Sequence, residues 1–375
     1  MRRVLVVSHR YVDPANRGKL RALAARGFEV TVAVPQRWRE PVLGRTIDVS
    51  WERQHGVEVF PVKASHPGDA ATYRFNGRVL HSLLRDKRPE LIQVEEELST
   101  AAARQTISAA LKLGIPIILS VGTNVRRRHG LFTSWARRRV LRRVRGAFAH
   151  GAGAAELLRA EGPGLSIEVV PQLGVSVPAA PEHRPHEGLA LGFVGRLVRR
   201  KGVDTLLEAL AQHRASPWRL TVVGDGPERE ALESLASARR LAARVRWAGS
   251  LPATQLTDVW PDLDVLVVPS RNQTEWRESV GHALAEAMAH EVAVIGTNAG
   301  VTPEVIGEAG MVVPPDDANA LAAAIGRMAD PAVQRQLAAA ARARALKCFS
   351  DDAVAERTLE FWKRVIDETG ETQRE

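Results

Sequence analysis

The chain has 375 residues, which is more than one hydrophobic core usually supports, so two domains are expected. Its composition, 45% hydrophobic and 25% charged, excludes a disordered or low-complexity protein. The single cysteine, Cys348, excludes a disulfide framework, and no stretch approaches the ~20 apolar residues of a membrane span. The opening MRRVLVV is too short for the apolar region of a signal peptide. These features predict a soluble chain in a reducing cytoplasm.

The net charge of +9 is concentrated in the first half of the chain. Residues 1–175 carry 29 Lys and Arg against 15 Asp and Glu, and no acidic residue lies between Leu98 and Ala155. The arginines that crowd this interval are Arg126–Arg128, Arg137–Arg139, Arg142, Arg143 and Arg145. The cluster fits an anionic partner, namely nucleic acid, an anionic lipid surface or a phosphorylated substrate, and it equally fits a solvated helix face.

Strands and helices alternate along the first half of the chain. Short apolar runs predict strands, and apolar residues at helical spacing predict helices. The predicted strands are 4–7, 30–34, 57–62, 91–94, 115–121 and 168–170, and the predicted helices are 16–26, 76–86, 98–112, 131–145 and 154–160. This alternation indicates a parallel, doubly wound sheet. The proline-containing segment 172–187 is predicted to be a linker.

The second half repeats the alternation. Its predicted strands are 189–194, 220–223, 245–247, 265–268 and 292–295, with a helix after each. From Ala318 the pattern is helical, and it is interrupted before a last helix over 353–365, with Ser350 or Asp351 as the N-cap. We therefore predict two Rossmann-like domains, over 1–175 and 186–350, and a final helical segment over 351–375.

The most informative stretch, from Val267 to Ile306, reads VVPSRNQTEWRESVGHALAEAMAHEVAVIGTNAGVTPEVI. It predicts a βαβ unit in which Gly281 opens the helix. Glu278 lies in the loop before the helix, and Glu286 lies within it, roughly 8 Å along the axis. Glycine at the helix mouth lets backbone N–H groups approach an anion closely, and the helix dipole favours a phosphate there.

These residues resemble the E-x7-E motif of retaining GT-B glycosyltransferases of family 4. Glu278 and Glu286 match the two glutamates, ESVG at 278–281 stands for the usual E-x-F-G, and GVTPEVI at 300–306 is one residue longer than the usual G-x-P-E-V-I. The resemblance is strongest over 190–310. It implies an α/β GT-B fold, in which two Rossmann-like lobes face their parallel sheets across a cleft and the last helix crosses back to the first lobe.

A basic turn, GRLVRRKG at 195–202, follows the strand 189–194. Arg196 and Lys201 could neutralise a diphosphate, the arginine as a planar fork and the lysine as a point charge. A basic surface turn is the plainer interpretation. The resemblance favours diphosphate binding, because in the family's G-R-x5-G pattern the Arg and the Lys at these two positions hold the donor diphosphate. The turn GDGP at 224–227 is similar to the family's G-x-G-P.

The resemblance implies a role for each donor-side residue. Glu286 would accept hydrogen bonds from two ribose hydroxyls, which one carboxylate can do. Glu278 would contact the transferred sugar. The backbone N–H groups from Ser279 to His282, Gly281 included, would meet the distal phosphate and stabilise charge as the nucleotide leaves. Paired carboxylates also occur in glycosidases, but a hydrolase of that kind would give the basic turn no role.

Asp262-Leu263-Asp264 has the D-x-D form of a metal motif. Both aspartates precede a buried strand, where turns commonly place aspartate, so we interpret them as structural. No His or Cys ligand spacing occurs elsewhere. The prediction is a site with no metal and no cofactor, which takes a nucleotide diphosphate sugar, with UDP or GDP as the favoured nucleotide.

The acceptor is expected to bind in the first domain. His9 follows the first strand, Glu95 and Glu96 end the fourth, and Asn124 follows the fifth, after which many relatives carry a histidine. Each of these residues is a candidate to face the acceptor, and each is also compatible with a structural role. Glu96 and Glu278 are the candidates for catalysis.

The predicted function is metal-independent transfer of a hexose (EC 2.4) to an acceptor hydroxyl with retention of configuration, in polysaccharide, glycolipid or glycoside biosynthesis. The resemblance implies front-face displacement, in which the donor's own phosphate helps to deprotonate the acceptor. A nucleotide-sugar epimerase on the same fold and a basic nucleic-acid-binding protein are the alternatives, and the acidic second domain argues against nucleic acid. The arginines from Arg126 to Arg145 predict peripheral contact with an anionic membrane at its cytoplasmic face.

Overall fold

The computed structural model describes residues 2–40, 44–124, 131–272 and 281–372. By its internal contacts the chain divides into two compact units. Unit 1 comprises Met1–Gly174 and Asp351–Glu375, and unit 2 comprises Val175–Ser350.

Unit 1 is built around an eight-stranded sheet. Its elements before residue 175 are β1 (Arg2–Val7), α1 (Gly18–Ala25), β2 (Phe28–Pro35), β3 (Arg37–Arg39), β4 (Thr46–Asp48), β5 (Glu52–Gln54), β6 (Val57–Val62), β7 (Ala64–Ser65), β8 (Arg74–Phe75), α2 (Gly77–Lys87), β9 (Leu91–Val94), α3 (Ala101–Lys112), β10 (Ile117–Val121), α4 (Leu131–Leu141), β11 (Gly146–Ala149), α5 (Ala152–Glu161) and β12 (Ile167–Val169). The strand order is β12-β11-β10-β9-β1-β2-β6-β5. Every pair is parallel except β5 with β6.

The central strands of unit 1 are buried on both faces, as near-continuous apolar runs predict for a parallel sheet covered by helices. All residues of β9, β10 and β11 are buried. The short strands between residues 37 and 75 escape prediction, because each is only two or three residues long and most of their residues are exposed. The first helix begins at Gly18 rather than at 16, because Pro14–Arg17 forms a 3₁₀ turn capped by Asp13.

Unit 2 is built around a six-stranded parallel sheet. Its elements are β13 (Leu189–Val194), α6 (Val203–Leu210), β14 (Trp218–Val223), α7 (Arg229–Ala238), β15 (Val245–Gly249), α8 (Ala253–Leu256), β16 (Val265–Val268), α9 (His282–Ala289), β17 (Ala293–Thr297), α10 (Thr302–Ile306), β18 (Met311–Val313), α11 (Ala318–Met328) and α12 (Pro331–Cys348). The strand order is β15-β14-β13-β16-β17-β18. The α/β class with two parallel sheets is therefore confirmed.

The last helix, α13 (Asp351–Thr372), belongs to unit 1 although it follows unit 2 in the chain. It is longer than the predicted 353–365. Trp362 is fully buried and donates from its indole nitrogen to the Gln93 side chain at 2.6 Å, and Phe361 packs on Phe148 with ring centres 4.9 Å apart. Gly146 permits this packing, because a Cβ there would lie 2.6 Å from the Phe361 ring.

The segment predicted as a linker is anchored to unit 2 from Val175 onward. The N–H of Val175 donates to the carbonyl of Phe349 at 2.9 Å, and Arg342 donates to the carbonyl of Pro178 at 2.6 Å. Prolines indicate an extended chain, but they do not indicate whether that chain packs on a neighbour.

Each sheet has one point at which the strand order changes direction. In unit 1 this point lies between β1 and β9, and in unit 2 it lies between β13 and β16. Loops that leave neighbouring strands there diverge and open a crevice, which is where open α/β sheets usually bind ligands. We therefore expect ligand-binding residues in the loops after these four strands.

Unit 1 contains a buried ion pair beside its switch point. The ammonium of Lys19, in α1, lies 2.7 Å from the carboxylate of Glu95 and 2.6 Å from the carbonyl oxygen of Gln172. The side chains of Lys19 and Glu95 are 2% and 0% exposed. The pair and its contact with Gln172 link three parts of unit 1: helix α1, the end of β9 and the backbone near residue 172.

We predict that Lys19→Met destabilises unit 1 by about 3–5 kcal/mol, because it leaves the Glu95 carboxylate buried without its cation. Denaturant unfolding measures the change. Arg37→Met is the control, since the Arg37–Asp48 pair is well exposed in the same unit, and no measurable loss is expected there. Equal effects of the two substitutions would contradict a special role for the buried pair.

Candidate functional site

The loops after β13 and β14 are joined through their backbones. The N–H of Gly195 donates to the carbonyl of Val223, and the N–H of Leu197 donates to that of Asp225, both at 2.9 Å. Gly224 has φ +135°, and a Cβ there would lie 1.9 Å from the carbonyl oxygen of Gly195. The turn GDGP thus fixes the shape of the turn that carries Arg196.

The predicted phosphate-binding cations lie in the loop after β13, at the switch point of unit 2. Arg196 is exposed and Lys201 is partly exposed. Lys201 ends a short 3₁₀ turn that closes at Gly202, whose φ is +68°. The Lys201 side chain lies along Gly195, because a Cβ on that glycine would be 3.8 Å from the Lys201 Cε. Both cations can therefore meet an anion at the carboxyl ends of the strands.

The loop after β16 leads into α9. Gly281 caps this helix in the left-handed conformation, with φ +57°, and is buried. A Cβ there would lie 2.8 Å from a methyl group of Val305, so glycine is required by both conformation and space. Glu286 lies one helical turn after His282, and its carboxylate is 3.3 Å from the His282 Nε2. Their side chains are 24% and 32% exposed, which leaves both accessible to a ligand.

Two donor-side predictions, Glu278 and Ser279, lie outside the described residues. The stem of their loop is described through Asn272. Of the remaining donor-side residues, Arg196 and Lys201 lie in the loop after β13, and Gly281, His282 and Glu286 lie at the start of α9 or within it, after the neighbouring strand β16.

The aspartates of the D-x-D sequence have partners within unit 2. Asp264 accepts from the N–H of Ala190 at 2.8 Å and lies 3.4 Å from the His186 ring. Asp262 pairs with Arg184 at 3.1 Å. These contacts agree with the structural interpretation. Among the described residues, no group of three or more His, Cys, Asp or Glu is placed to hold a metal ion.

In unit 1, the three consecutive glutamates after β9 bind three different parts of the switch region. Glu95 turns into the core, where it accepts from the hydroxyl of Tyr11 and from the side-chain amide of Gln93 in addition to Lys19. Burial and the neighbouring Glu95 raise the pKa of Tyr11 well above its usual value, so Tyr11 remains a hydrogen-bond donor. This arrangement favours a structural role for Glu95 over contact with an acceptor.

Glu96 binds the loop after β1. Its carboxylate accepts from the backbone N–H of His9 at 2.7 Å and lies 2.7 Å from the His9 Nδ1, and it accepts from the hydroxyl of Tyr73 at 2.6 Å. The His9 ring stacks on Trp38 with centres 4.8 Å apart. Glu96 is 2% exposed and His9 is 23% exposed, so the imidazole is the member of the pair that a ligand can reach.

Glu97 fixes the loop after β10, which is a role that the sequence analysis did not assign to it. One carboxylate oxygen accepts from the N–H groups of Gly122 and Thr123, both at 2.9 Å. This loop leads to Asn124, which is partly buried, and a Cβ on Gly153 would lie 3.5 Å from the Asn124 Cβ. The run of three acids after a strand at the switch point is the signal from which this role could be found.

His150 lies behind that loop and is not available as a cation. Its Nε2 is 2.8 Å from the Ser120 hydroxyl. Burial, with smaller contributions from Arg10 and Lys19, lowers the pKa of His150 to about 3, so the imidazole is neutral at physiological pH.

The arginine-rich segment is only partly described, because Arg126–Arg128 lie outside the described residues. Arg137 pairs with Glu161 at 2.8 Å, whereas Arg138, Arg139, Arg142, Arg143 and Arg145 are exposed. Trp135 is 56% exposed on the same helix, and the Arg139 guanidinium lies 5.5 Å from the centre of its ring. In the part of the chain that the structure describes, no helix is both long enough and apolar enough to span a membrane.

Comparison with known proteins agrees with this geometry. A family described as "Glycosyl transferases group 1" matches residues 188–330, and one described as "Glycosyl transferase 4-like domain" matches residues 14–172. Glycogen synthase of Mycobacterium tuberculosis is 28% identical over 295 residues, which cover 74% of this chain and 69% of that protein.

Solved structures share the fold over nearly the whole chain. Sucrose-phosphate synthase from Thermosynechococcus elongatus has a TM-score of 0.74 at 21% identity, covering 98% of this chain and 100% of that one. Anabaena Alr3699/HepE in complex with UDP-glucose has a TM-score of 0.69 at 16% identity, covering 97% and 100%.

Two α/β units of this kind form the GT-B fold. The chain belongs to group 1 of these enzymes, the GT4-like family, and is a hexosyltransferase-type enzyme of class EC 2.4. The predicted fold and family are confirmed.

Proposed function

We propose that this enzyme transfers a sugar from a nucleoside diphosphate donor, bound at the switch point of unit 2, to an acceptor hydroxyl. The proposal is supported by the position of Arg196 and Lys201 in the loop after β13, and of the glycine-capped start of α9 in the segment after the neighbouring strand β16. Two cations and a helix N-terminus offset the charge of a diphosphate, before and after it departs.

Glu286 is the proposed ribose ligand. One turn into α9, its carboxylate offers two acceptor oxygens, and its distance from the helix start separates the ribose from the phosphates. Glu278 and Ser279, by the family resemblance, contact the transferred sugar and the distal phosphate. UDP is the favoured nucleotide, because Alr3699/HepE, which shares the fold, is known in complex with UDP-glucose.

The acceptor side is proposed to lie in the loops after β1, β9 and β10. Glu96 holds the His9 ring through its Nδ1, which leaves Nε2 to hydrogen-bond an acceptor hydroxyl. Asn124 is the third candidate. Glu96 therefore acts through His9, while Glu95 supports the loops from the core. The product class, by relation to glycogen synthase, is a glucan or another glycoside or glycolipid.

The proposed chemistry is metal-free and retains the anomeric configuration. The bond between the sugar C1 and the diphosphate oxygen breaks, and the acceptor oxygen bonds to C1 on the same face. The acceptor proton passes to the departing diphosphate, whose charge Arg196 and Lys201 stabilise. These features rest on the family resemblance.

The epimerase and nucleic-acid-binding alternatives are not retained, because the chain belongs to the glycosyltransferase family.

The donor site is tested by thermal unfolding with UDP, GDP, ADP and dTDP. At ~100 times its dissociation constant a ligand stabilises by about 2.7 kcal/mol, so binding is readily seen. We predict that one ribonucleotide raises the unfolding temperature of the wild type, that its 2′-deoxy form does so less, and that Glu286→Ala, which removes both acceptor oxygens, removes this difference.

His9→Ala provides the control for the donor experiment. It should leave the nucleotide effect intact and reduce transfer to the acceptor, because His9 lies in unit 1. If none of the four nucleotides stabilises the wild type, the donor-site proposal is wrong. If Glu286→Ala still binds the ribonucleotide more tightly than its 2′-deoxy form, as the wild type is expected to, only the assignment of Glu286 to the ribose is wrong.

Retention and metal independence are tested on the reaction itself. Proton NMR during turnover of an α-linked donor should show an α-linked product first, and EDTA should leave the rate unchanged. A β-linked first product would contradict front-face displacement. Activity that EDTA abolishes and Mg²⁺ or Mn²⁺ restores would contradict the absence of a metal.

Peripheral contact with an anionic membrane is the proposed role of the exposed arginines. An exposed Trp135 beside Arg139 offers both an interfacial aromatic ring and charge, and such attraction weakens as salt rises. The solvated-face interpretation predicts no membrane affinity.

Co-sedimentation with vesicles of 30% phosphatidylserine at low and high salt separates these interpretations. We predict binding at low salt that is lost at high salt and in a quadruple Arg-to-Gln variant. The substituted positions are Arg138, Arg139, Arg142 and Arg143, and the control of equal charge change carries Gln at the exposed unit 2 positions Arg214, Arg240, Arg246 and Arg335. Equal binding by the two quadruple variants would contradict the assignment.

A further inference from the structure

Arg271 is the first residue with a long side chain after β16, and it contacts three separate turns of unit 2. Its Nη1 donates to the carbonyl oxygen of Arg199 at 2.8 Å. Its Nη2 donates to the Asp204 carboxylate at 2.9 Å and to the Thr205 hydroxyl at 2.8 Å. Its Nε donates to the carboxylate of Asp316, in the turn after β18.

The backbone of Arg271 also contacts the turn that contains Lys201. Its N–H donates to the carbonyl oxygen of Arg200 at 2.8 Å. On the other side of Lys201, Gly202 approaches the end of β16 so closely that a Cβ would lie 2.0 Å from the Pro269 carbonyl oxygen. The backbone of Lys201 is therefore held against the end of β16 from the residue before it and from the residue after it.

The neighbours of Arg271 attach the same stem to the turn after β17. The Thr297 hydroxyl donates to the carbonyl of Ser270. The Asn272 side chain donates to the carbonyl of Asn298 at 3.2 Å and accepts from the N–H of Gly300 at 3.1 Å. Residues 270–272 thus join the ends of β13, β16, β17 and β18.

The environment of Arg271 suits a fixed guanidinium. Its side chain is 13% exposed, and the fork geometry allows several directed hydrogen bonds from one rigid plane. Burial by itself would lower the pKa of Arg271, but the hydrogen bonds and charges of Asp204 and Asp316 outweigh it and raise that pKa. Lysine at this position would keep the charge and lose the planar fork.

We propose that Arg271 is a positioning residue for the donor diphosphate: it holds the Lys201 turn in register with the loop that follows β16. This inference rests on the proposed function, because it assumes that Lys201 binds the diphosphate. Arg271 itself does not touch the donor. It fixes the position of the Lys201 turn relative to the end of β16, and charge stabilisation depends on a cation that is held in place before the donor binds.

The test compares a nucleoside diphosphate with its monophosphate in Arg271→Lys. Calorimetric titration gives the two dissociation constants, for UDP and UMP or for whichever pair the wild type binds best. We expect the preference for the diphosphate to fall about tenfold, because misplacing a binding group by a fraction of an ångström weakens only the contact that it makes. Affinity for the monophosphate should change little.

Arg239→Lys is the matched control. Arg239 makes a two-pronged pair with Glu208 in the same unit, at 2.8–3.0 Å, but on exposed helix surfaces. Its substitution should leave the diphosphate preference unchanged. Asp204→Asn removes one partner of Arg271 and should lower the preference in the same direction, which provides a second variant if Arg271→Lys folds poorly.

The outcomes separate this inference from the proposed function. A wild type that binds no nucleoside diphosphate contradicts the proposed function itself. A wild type that binds, with an unchanged diphosphate preference in both Arg271→Lys and Asp204→Asn, contradicts the positioning role and leaves the proposed function standing. A lower unfolding temperature with unchanged preference would likewise make Arg271 purely structural.

Discussion

At the carboxyl edge of the unit 2 sheet, the backbones of neighbouring loops come within contact distance of each other at two points. Gly224 meets the carbonyl of Gly195, and Gly202 meets that of Pro269, at distances that no Cβ would allow. Both glycines also have positive φ, which other residues adopt at a cost. These approaches join the loop after β13 to the loop after β14 and to the end of β16. The proposed donor site depends on this constraint.

At the switch point of unit 1, three consecutive glutamates, Glu95 to Glu97, follow β9. Three consecutive carboxylates would repel one another if they faced one ligand, and the chain instead distributes them. Glu95 neutralises the buried Lys19, Glu96 orients His9, and Glu97 accepts two N–H groups of the loop after β10. Glu95 and Glu96 are buried, whereas His9 and Glu97 are partly exposed, so the proposed acceptor region offers an imidazole and one carboxylate rather than an open cluster of three acids.

The sequence predicts those features that depend on local patterns. Strands such as β6, β9, β13 and β16 match their predicted bounds, because a parallel strand buried on both faces is a continuous apolar run with polar ends. The start of α9 after Gly281 is also a local feature, because the glycine marks the beginning of the helix. The family motifs identified the fold and the enzyme class because they combine charge, glycine and spacing in one segment.

Other features depend on residues far apart in the chain and leave no local signal. Glu95 pairs with Lys19, and Arg271 pairs with Asp204 and Asp316. Strand order decides which loops are neighbours, and a single sequence does not reveal it. The acceptor loops are the least predictable, because a His, an Asn and a run of acids are each common in structural roles.

The most direct measurement is hydrogen–deuterium exchange with and without the nucleoside diphosphate that the wild type binds best. We predict slower exchange in the loops after β13 and β14, at 195–202 and 224–226, and at the start of α9, with little change in the loop after β1. Protection confined to the loop after β1 or to the arginine-rich helix α4, with none at 195–202, would contradict a donor site in unit 2.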